Sequence, residues 1–556
     1  MIDTISLNFG SSTSATPIEF QPGRMTIFVG PNNSGKSLLL KEISSRVGIG
    51  DSGTSEDTKI LSEILINALT DDEIREILLT HRTPESANFP IQPGGTSVGK
   101  IDFANNKLIQ VFNSPIQHLI DAVKTNETFK RIFLSLFSLK IDGIIRLNLA
   151  DQKDMGDLIQ GGPANILSIL LKNRPLRERV RSLIYEAFQL YIALDICNGG
   201  KVRVRVSQIE PTEIVETSVS EEAIAFHTNA PLLTDQGDGL RAYLGVLLTV
   251  MCADFKIMLL DEPEAFLHPP LAQNLGLNLA RVTQERSGNL LVSTHSASFV
   301  MGCIQSGVDI NIVRLTHRNG SSTARLLPPA EVRDMMRNPV MKSAGVLSAL
   351  FHDGVVVTED DTDRVFYQEI NERLISSGRS NAKGSLFLNA NGKSSLRKIV
   401  APLRKLGIPV AVVSDFDLLF ESADLYPLLG ACNIPEAIVE SLKIQREALL
   451  RSIDQTTAKD RGLEALTGSD KASAIDLLNR LGSYGIFPAT NGEMESWLSE
   501  LNIPGKKSAW FWTAMDKLGT DPNSAQYTRP GSGGVWSFIE KVAQWISNPA
   551  REGMPE

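Results

Sequence analysis

Runs of apolar residues without polar partners alternate along the chain with stretches of helical spacing. Ile5–Phe9 and Pro17–Phe20 read as short strands and Met25–Val29 as a buried one, followed by a glycine-containing loop that must open a helix. From about Ser62 to Leu190 the spacing turns helical in Ile64–Leu79, Ile116–Leu139 and Pro175–Leu190, with Asp, Asn, Gly and Pro at the breaks, which predicts a helical insertion. Strand-like alternation returns at Lys201–Val206 and Thr212–Val219, and strands and helices then alternate to about Leu327. After the helical stretch Glu331–Leu350, strands at Val355–Thr358, Ser385–Leu388 and Ile408–Val413 open a second alternating unit, and the chain from about Gly430 is helical and Gly/Ser-punctuated. The pattern predicts an α/β chain of two units, the first interrupted by an insertion.

At 556 residues the chain is long enough for about three domains. The longest apolar stretch, around 243 to 253, is far shorter than the roughly 20 residues of a membrane helix, and no secretion signal opens the chain, so the expected location is cytoplasmic, without a membrane partner. Lys+Arg 55 against Asp+Glu 64 leaves a net charge of -9, so nucleic acid can be attracted only by local patches or bridging metal ions. Cys197, Cys252, Cys303 and Cys432 lie far apart and share no zinc-type spacing with histidines.

Gly30-Pro31-Asn32-Asn33-Ser34-Gly35-Lys36-Ser37 sits between the Met25–Val29 strand and the helix-compatible Leu38–Ile43, the context a P-loop requires. Gly30, Asn33 and Gly35 shape a loop whose N–H groups converge on phosphates, Lys36 brings a charge to the β- and γ-phosphates, and the Ser37 hydroxyl can ligate Mg²⁺. Far downstream the apolar strand Lys256–Leu260 ends in Asp261-Glu262, where Asp261 can hold the ion through water and Glu262 can polarise the attacking water. The next strand, Asn289–Ser293, runs into His295, which can reach the γ-phosphate. An isolated Asp-Glu strand end is often an ordinary turn, and a lone histidine there a structural residue; company with the P-loop favours the functional reading.

These three features resemble ABC/SMC-type ATPases, which sandwich ATP between two heads. The resemblance implies a glycine-rich signature opening a helix, matched by Thr234-Asp235-Gln236-Gly237-Asp238-Gly239 before Leu240–Val250, with Asp235 and Asp238 as departures from the pattern.

In the second unit Val355–Thr358 ends in Glu359-Asp360-Asp361-Thr362-Asp363, and Ile408–Val413 leads into Ser414-Asp415-Phe416-Asp417. In a parallel sheet these strand ends share one crevice, where Glu359, Asp415 and Asp417, with Asp363 beside them, can hold Mg²⁺ or Mn²⁺ for phosphodiester cleavage. An acidic turn without catalytic role is the plain alternative. Asn391-Gly392-Lys393 opens a helix on which Lys393, Arg397 and Arg404 fall close together, a candidate backbone track or a solvated face. Two further basic groups, Lys201/Arg203/Arg205 and Lys172 through Arg181, admit the same two readings.

A glutamate on one strand end and Asp-x-Asp on a later one look like a Toprim domain; Asp360 stands where Toprim domains usually have glycine. An ABC-type ATPase followed by Toprim resembles the overcoming-lysogenization-defect (OLD) family of nucleases over nearly the whole chain. That resemblance implies an ATPase domain at 1–61 and 191–340, a dimerising insertion at 62–190, and a Toprim domain with helical elaboration at 350–556. It further implies a late metal-binding glutamate, Glu495 or its neighbour Glu493, and a late catalytic lysine, Lys507 or Lys506. The function implied is an ATP-binding, metal-dependent DNA endonuclease or nickase in antiphage defence, acting as a dimer or tetramer, with a helicase or reverse transcriptase from the same operon as a possible partner. The other readings are a nucleotide-sensing scaffold or toxin component that binds nucleic acid without cutting it, and, less favoured, a topoisomerase or primase.

Overall fold

The structure is a computed structural model describing residues 1–12, 15–48, 58–83, 91, 93–102, 107–143, 145–148, 150–155, 158, 165–252, 255–318, 320–342 and 344–555. The chain divides into two compact units, residues 1–10 with 16–332 and residues 11–15 with 333–556.

The first unit is built on a six-stranded sheet in the order Ser321–Leu327, Asn311–Arg318, Met25–Val29, Asn289–Ser293, Ile257–Asp261, Ser138–Ile141. All neighbours run parallel except the Asn311–Arg318/Ser321–Leu327 hairpin. The continuous apolar runs follow from burial on both faces, and every residue of Met25–Val29 and Asn289–Ser293 is buried. Register sets Asp261 beside Ser293 and Ser293 beside Phe28, so the P-loop, the Asp-Glu pair and His295 leave one sheet edge together. Smaller antiparallel sheets add Ile2–Leu7 with Glu19–Phe20 and Leu61–Ile66, and Lys201–Ser207 with Tyr191–Asp195 and Lys153–Asp154.

The segment 62–190 is more than a helical insertion. It contains the Leu61–Ile66 strand, the Thr96–Asp102/Lys107–Ser114 hairpin, and Ser138–Ile141, which is part of the main sheet. Helical spacing in Ile116–Leu139 misled because two short helices, Ile116–Thr125 and Glu127–Leu134, run directly into that strand. The expected strand at Thr212–Val219 is instead a helix over Glu213–Thr217, where buried Glu216 accepts from Arg177, Arg181 and the Leu194 backbone.

The second unit holds a four-stranded parallel sheet, ordered Ser385–Asn389, Gly354–Thr358, Val410–Ser414, Ile486–Pro488. Helices Asp361–Ser376, Lys393–Lys405 and Gly534–Ser547 pack around it. The first and last close over a cluster that includes Phe366, Tyr367, Trp497, Trp510, Trp536 and Phe538. At about 25 cal/mol per Å² of apolar area removed from water, these large rings are the main anchor of the helical elaboration.

Candidate functional site

At the first site a Cβ on Gly30 would run into the Leu315 carbonyl and one on Gly35 into the Ile60 side chain, and both glycines have positive φ. Only glycine fits there, and the loop is thereby pinned against its neighbours. Lys36 donates to the carbonyls of Gly30 (2.8 Å) and Pro31 (2.9 Å), and burial pulls its ammonium down to about 8 against nearby Glu262 and Asp261. Ser37 donates to Asp261 at 2.9 Å, and Ser293 donates to the same carboxylate oxygen. Asn33, with φ 63, lines a cavity of about 560 Å³ together with Ser34, Gly35, Lys36, Ser37 and His295. The His295 ring lies 3.3 Å from the Glu262 carboxylate; burial first, then the Lys36 charge, hold its pKa below the ordinary value. All the residues expected at an ATP site therefore gather at one edge.

Two residues at this edge escaped the sequence reading. Arg146, 2% exposed and five residues beyond the end of the Ser138–Ile141 strand, donates to the backbone carbonyls of Asp261 (3.1 Å) and Glu262. Glu264 is buried and accepts from the Thr294 hydroxyl (2.6 Å) and the His295 backbone N–H (3.0 Å). No motif marks Arg146, and Glu264, two residues past Glu262, carries no spacing signal of its own. In the candidate signature, Asp238 starts the helix Asp238–Cys252, where an acid suits the positive end of the helix, and lies 3.4 Å from Arg241.

In the second unit Glu359, Asp363, Asp415 and Asp417 sit at neighbouring strand and helix ends and act on one another electrostatically, although, among the described residues, no three of their carboxylates bring ligand oxygens within 4.8 Å of one another. The Asp415 backbone N–H donates to Glu359 at 3.2 Å, and the Gly392 N–H donates to the Glu359 carbonyl at 2.9 Å. Phe416, between the two aspartates, donates its N–H to the Gly492 carbonyl at 2.9 Å, which brings the Glu493/Glu495 segment to the cluster. Burial and then the Asp415 charge raise Glu359 to about 9; burial and then Asp363 raise Asp415 to about 8. Asp363 is pushed up to about 7 by burial, with Glu495 and Glu493 both adding to the shift. Asp363 also accepts from the Asp360 N–H at the start of Asp361–Ser376, so Asp360 serves as a helix cap where glycine was expected. Oxygen donors that repel one another in this way are of the type a hard divalent cation binds, and a cation would relieve the repulsion by drawing the carboxylates closer.

Lysines approach the cluster from places the sequence left open. Lys393 lies 2.5 Å from Asp417 and 2.9 Å from Glu421, and Lys459 lies 3.3 Å from both Asp417 and Glu493. Lys459 follows Asp417 by a helical stretch with no motif, so spacing could not reveal it. The Lys507 side chain lies outside the described residues, and Lys506 is exposed at the start of the Lys507–Leu518 helix.

The basic groups are corrected by their partners. Arg404 is 0% exposed and donates to the carbonyls of Cys432, Gly553, Val410 and Tyr484, so of its group only Arg397 is an open surface cation. Arg203 and Arg205 each lie 2.6 Å from buried Asp195, and Arg177 and Arg181 pair with Glu216. Asp195, Cys197 and His227 offer ligand atoms within 4.8 Å of one another, a grouping that cysteine spacing did not suggest. With two arginines already on the Asp195 carboxylate, a dication there would add to an existing excess of positive charge.

A family model described as "Overcoming lysogenization defect protein-like, TOPRIM domain" matches residues 350–417, and one described as "AAA domain, putative AbiEii toxin, Type IV TA system" matches residues 226–301. No curated protein matches the chain. Among solved structures, the chain is similar to an SMC head bound to the C-winged helix domain of ScpA, at 11% identity over 60% of this chain and 99% of that one, with a TM-score of 0.33. It is similar to the SMC head domain from Thermotoga maritima at 14% identity over 59% and 98% of the two chains, with a TM-score of 0.27. An ATP-binding cassette of an ABC transporter in its ADP conformation matches at 13% identity over 61% and 97%, with a TM-score of 0.25. The two family matches put an OLD-like Toprim domain after an AAA-type ATPase domain in one chain. Among the described residues no helix is long and apolar enough to cross a membrane.

Proposed function

We propose that this pairing of domains is an ATP-binding, metal-dependent DNA endonuclease or nickase, with cleavage carried by the Toprim domain and controlled by nucleotide at the ATPase domain. The observation that carries the reading is the grouping of Glu359, Asp363, Asp415 and Asp417 at neighbouring strand and helix ends, with three of the four carboxyls held well above their ordinary range. Mg²⁺ or Mn²⁺ bound by these oxygens supplies the positive charge that a phosphodiester needs before water can attack it. The Asp415 backbone N–H holds the Glu359 carboxylate against the end of the neighbouring strand. Lys459, half exposed beside Asp417, stands with Lys507 and Lys506 as a candidate for the lysine that meets an incoming backbone phosphate. Glu493 and Glu495 both stand as candidates for the late glutamate, because both act on Asp363.

At the ATPase domain Lys36 meets the phosphates, Ser37 and Asp261 hold the Mg²⁺ that accompanies ATP, and Glu262 with His295 faces the γ-phosphate. A role in antiphage defence, an assembly of two or four copies and an operon-encoded partner rest on the OLD resemblance alone. The 62–190 segment is proposed to contribute to dimerisation on the same basis.

A second reading is favoured by one observation: both oxygens of Asp417 already face lysines, which suits a Toprim site that grips nucleic acid without cutting. Incubating the purified protein and supercoiled plasmid with Mg²⁺ or Mn²⁺ and with EDTA decides between them. Nicked or linear product that needs the divalent ion supports the nuclease; intact plasmid that is nevertheless bound supports the second reading.

A further inference from the structure

The ATP-facing edge depends on backbone that leaves the sheet in a demanding conformation. Glu262 has φ 50, a left-handed geometry that costs a non-glycine residue of order 1 kcal/mol or more and persists only when its surroundings enforce it. Arg146 supplies the enforcement from one side, with its guanidinium donating to the carbonyls of Asp261 and Glu262. Glu264 supplies it from the other, since one carboxylate oxygen ties down both the Thr294 hydroxyl and the His295 N–H. The ends of three adjacent strands, Ser138–Ile141, Ile257–Asp261 and Asn289–Ser293, are thus cross-braced by two buried ionisable side chains.

The two side chains hold the same turn from opposite sides. Arg146 Nε and the second oxygen of Glu264, Oε2, are buried atoms without a hydrogen-bond partner, and Glu264 is the carboxylate that acts most strongly on the Arg146 guanidinium. Removing either one leaves the turn held from one side only.

We propose that Arg146 and Glu264 are positioning residues for ATP hydrolysis, acting through the backbone to hold Glu262 and His295 in register with the γ-phosphate. Neither touches the nucleotide. The inference rests on reading this edge as an ATP-hydrolysing one. Their effect falls on the turnover step, because the cavity that holds the phosphates is lined by the P-loop and His295 rather than by either of them.

The test is steady-state ATPase kinetics on the full chain, with nucleotide binding measured separately by the thermal shift with ATPγS. Arg146→Gln and Glu264→Ala are expected to lower kcat by about 10- to 100-fold while KM and the ATPγS shift stay within about threefold of wild type. Glu264→Gln keeps the acceptor oxygen for Thr294 and His295 and is expected to recover most of the rate lost in Glu264→Ala. In Arg146→Gln/Glu264→Ala the losses should fall well short of multiplying. Wild-type kcat in both single variants overturns the proposal, as does a parallel loss of kcat and ATPγS binding. Equal rates in Glu264→Gln and Glu264→Ala overturn the part given to the Glu264 oxygen. If the wild-type chain binds ATPγS but hydrolyses no ATP, the reading of the edge as a hydrolase fails, and the positioning role with it.

Discussion

The Lys393 ammonium lies 2.5 Å from the Asp417 carboxylate, and Lys459 faces the other oxygen of the same group at 3.3 Å. Asp417 is thus the carboxylate whose charge is matched by side chains, whereas Glu359, Asp363 and Asp415 are pushed toward their protonated forms.

Breaking the first of these pairs has a definite direction. Lys393→Ala leaves the buried Asp417 with only the half-exposed Lys459 to match its charge and is expected to destabilise the metal-free Toprim unit by about 1–3 kcal/mol, less than the full loss for a lone buried pair. Urea unfolding in EDTA measures the loss, and saturating Mn²⁺ should return part of it. A variant as stable as wild type in EDTA contradicts the pairing.

The raised carboxyl groups make the metal-free protein sensitive to pH. A folded-state value above the unfolded one means the folded chain binds protons more tightly, so the stabilisation is full below about pH 4 and is lost as pH rises through the folded values of about 7, 8 and 9. In EDTA the melting temperature of the Toprim unit should therefore fall between pH 5 and pH 9, at about 2–4 °C per kcal/mol for a unit of this size. Mn²⁺ should flatten the slope, and Asp415→Asn should reduce it without metal. A melting temperature independent of pH in EDTA refutes the assignment of a crowded acidic cluster.

Arg404 distinguishes a structural cation from a nucleic-acid contact. Its guanidinium serves four carbonyls and lies 4.9 Å from the centre of the Trp545 ring, so Arg404→Ala should cost about 3–5 kcal/mol of stability. Arg397→Ala, on the exposed part of the same helix, should leave stability within about 0.5 kcal/mol. If Arg397 contacts the backbone, its removal also lowers the salt dependence of DNA binding by about one unit of slope. Denaturant unfolding of both variants checks the contrast; equal stability would contradict it.

Most of what was legible in the sequence was continuous in it. The P-loop, the Asp-Glu strand end, Glu359 and Asp415/Asp417 each sit at the end of a short apolar run, and the parallel sheets that bury those runs deliver them to shared edges. Ser138–Ile141 was hidden because its apolar residues continue the spacing of the preceding helices. Arg146, Glu264 and Lys459 were hidden for another reason: each acts through partners set by tertiary packing, and no local spacing encodes them. Arg404 was misread because helical spacing predicts which residues share a face but not that the carbonyls of Val410, Cys432, Tyr484 and Gly553 will surround one of them.

The most direct measurement is divalent-dependent cleavage of supercoiled plasmid by wild type and by Asp415→Ala, with ATP binding followed in both. Cleavage by wild type, its loss in Asp415→Ala and equal ATP binding are the predicted result. Nicking that continues undiminished in Asp415→Ala would contradict the assignment of the cutting site to the Glu359, Asp363, Asp415 and Asp417 cluster.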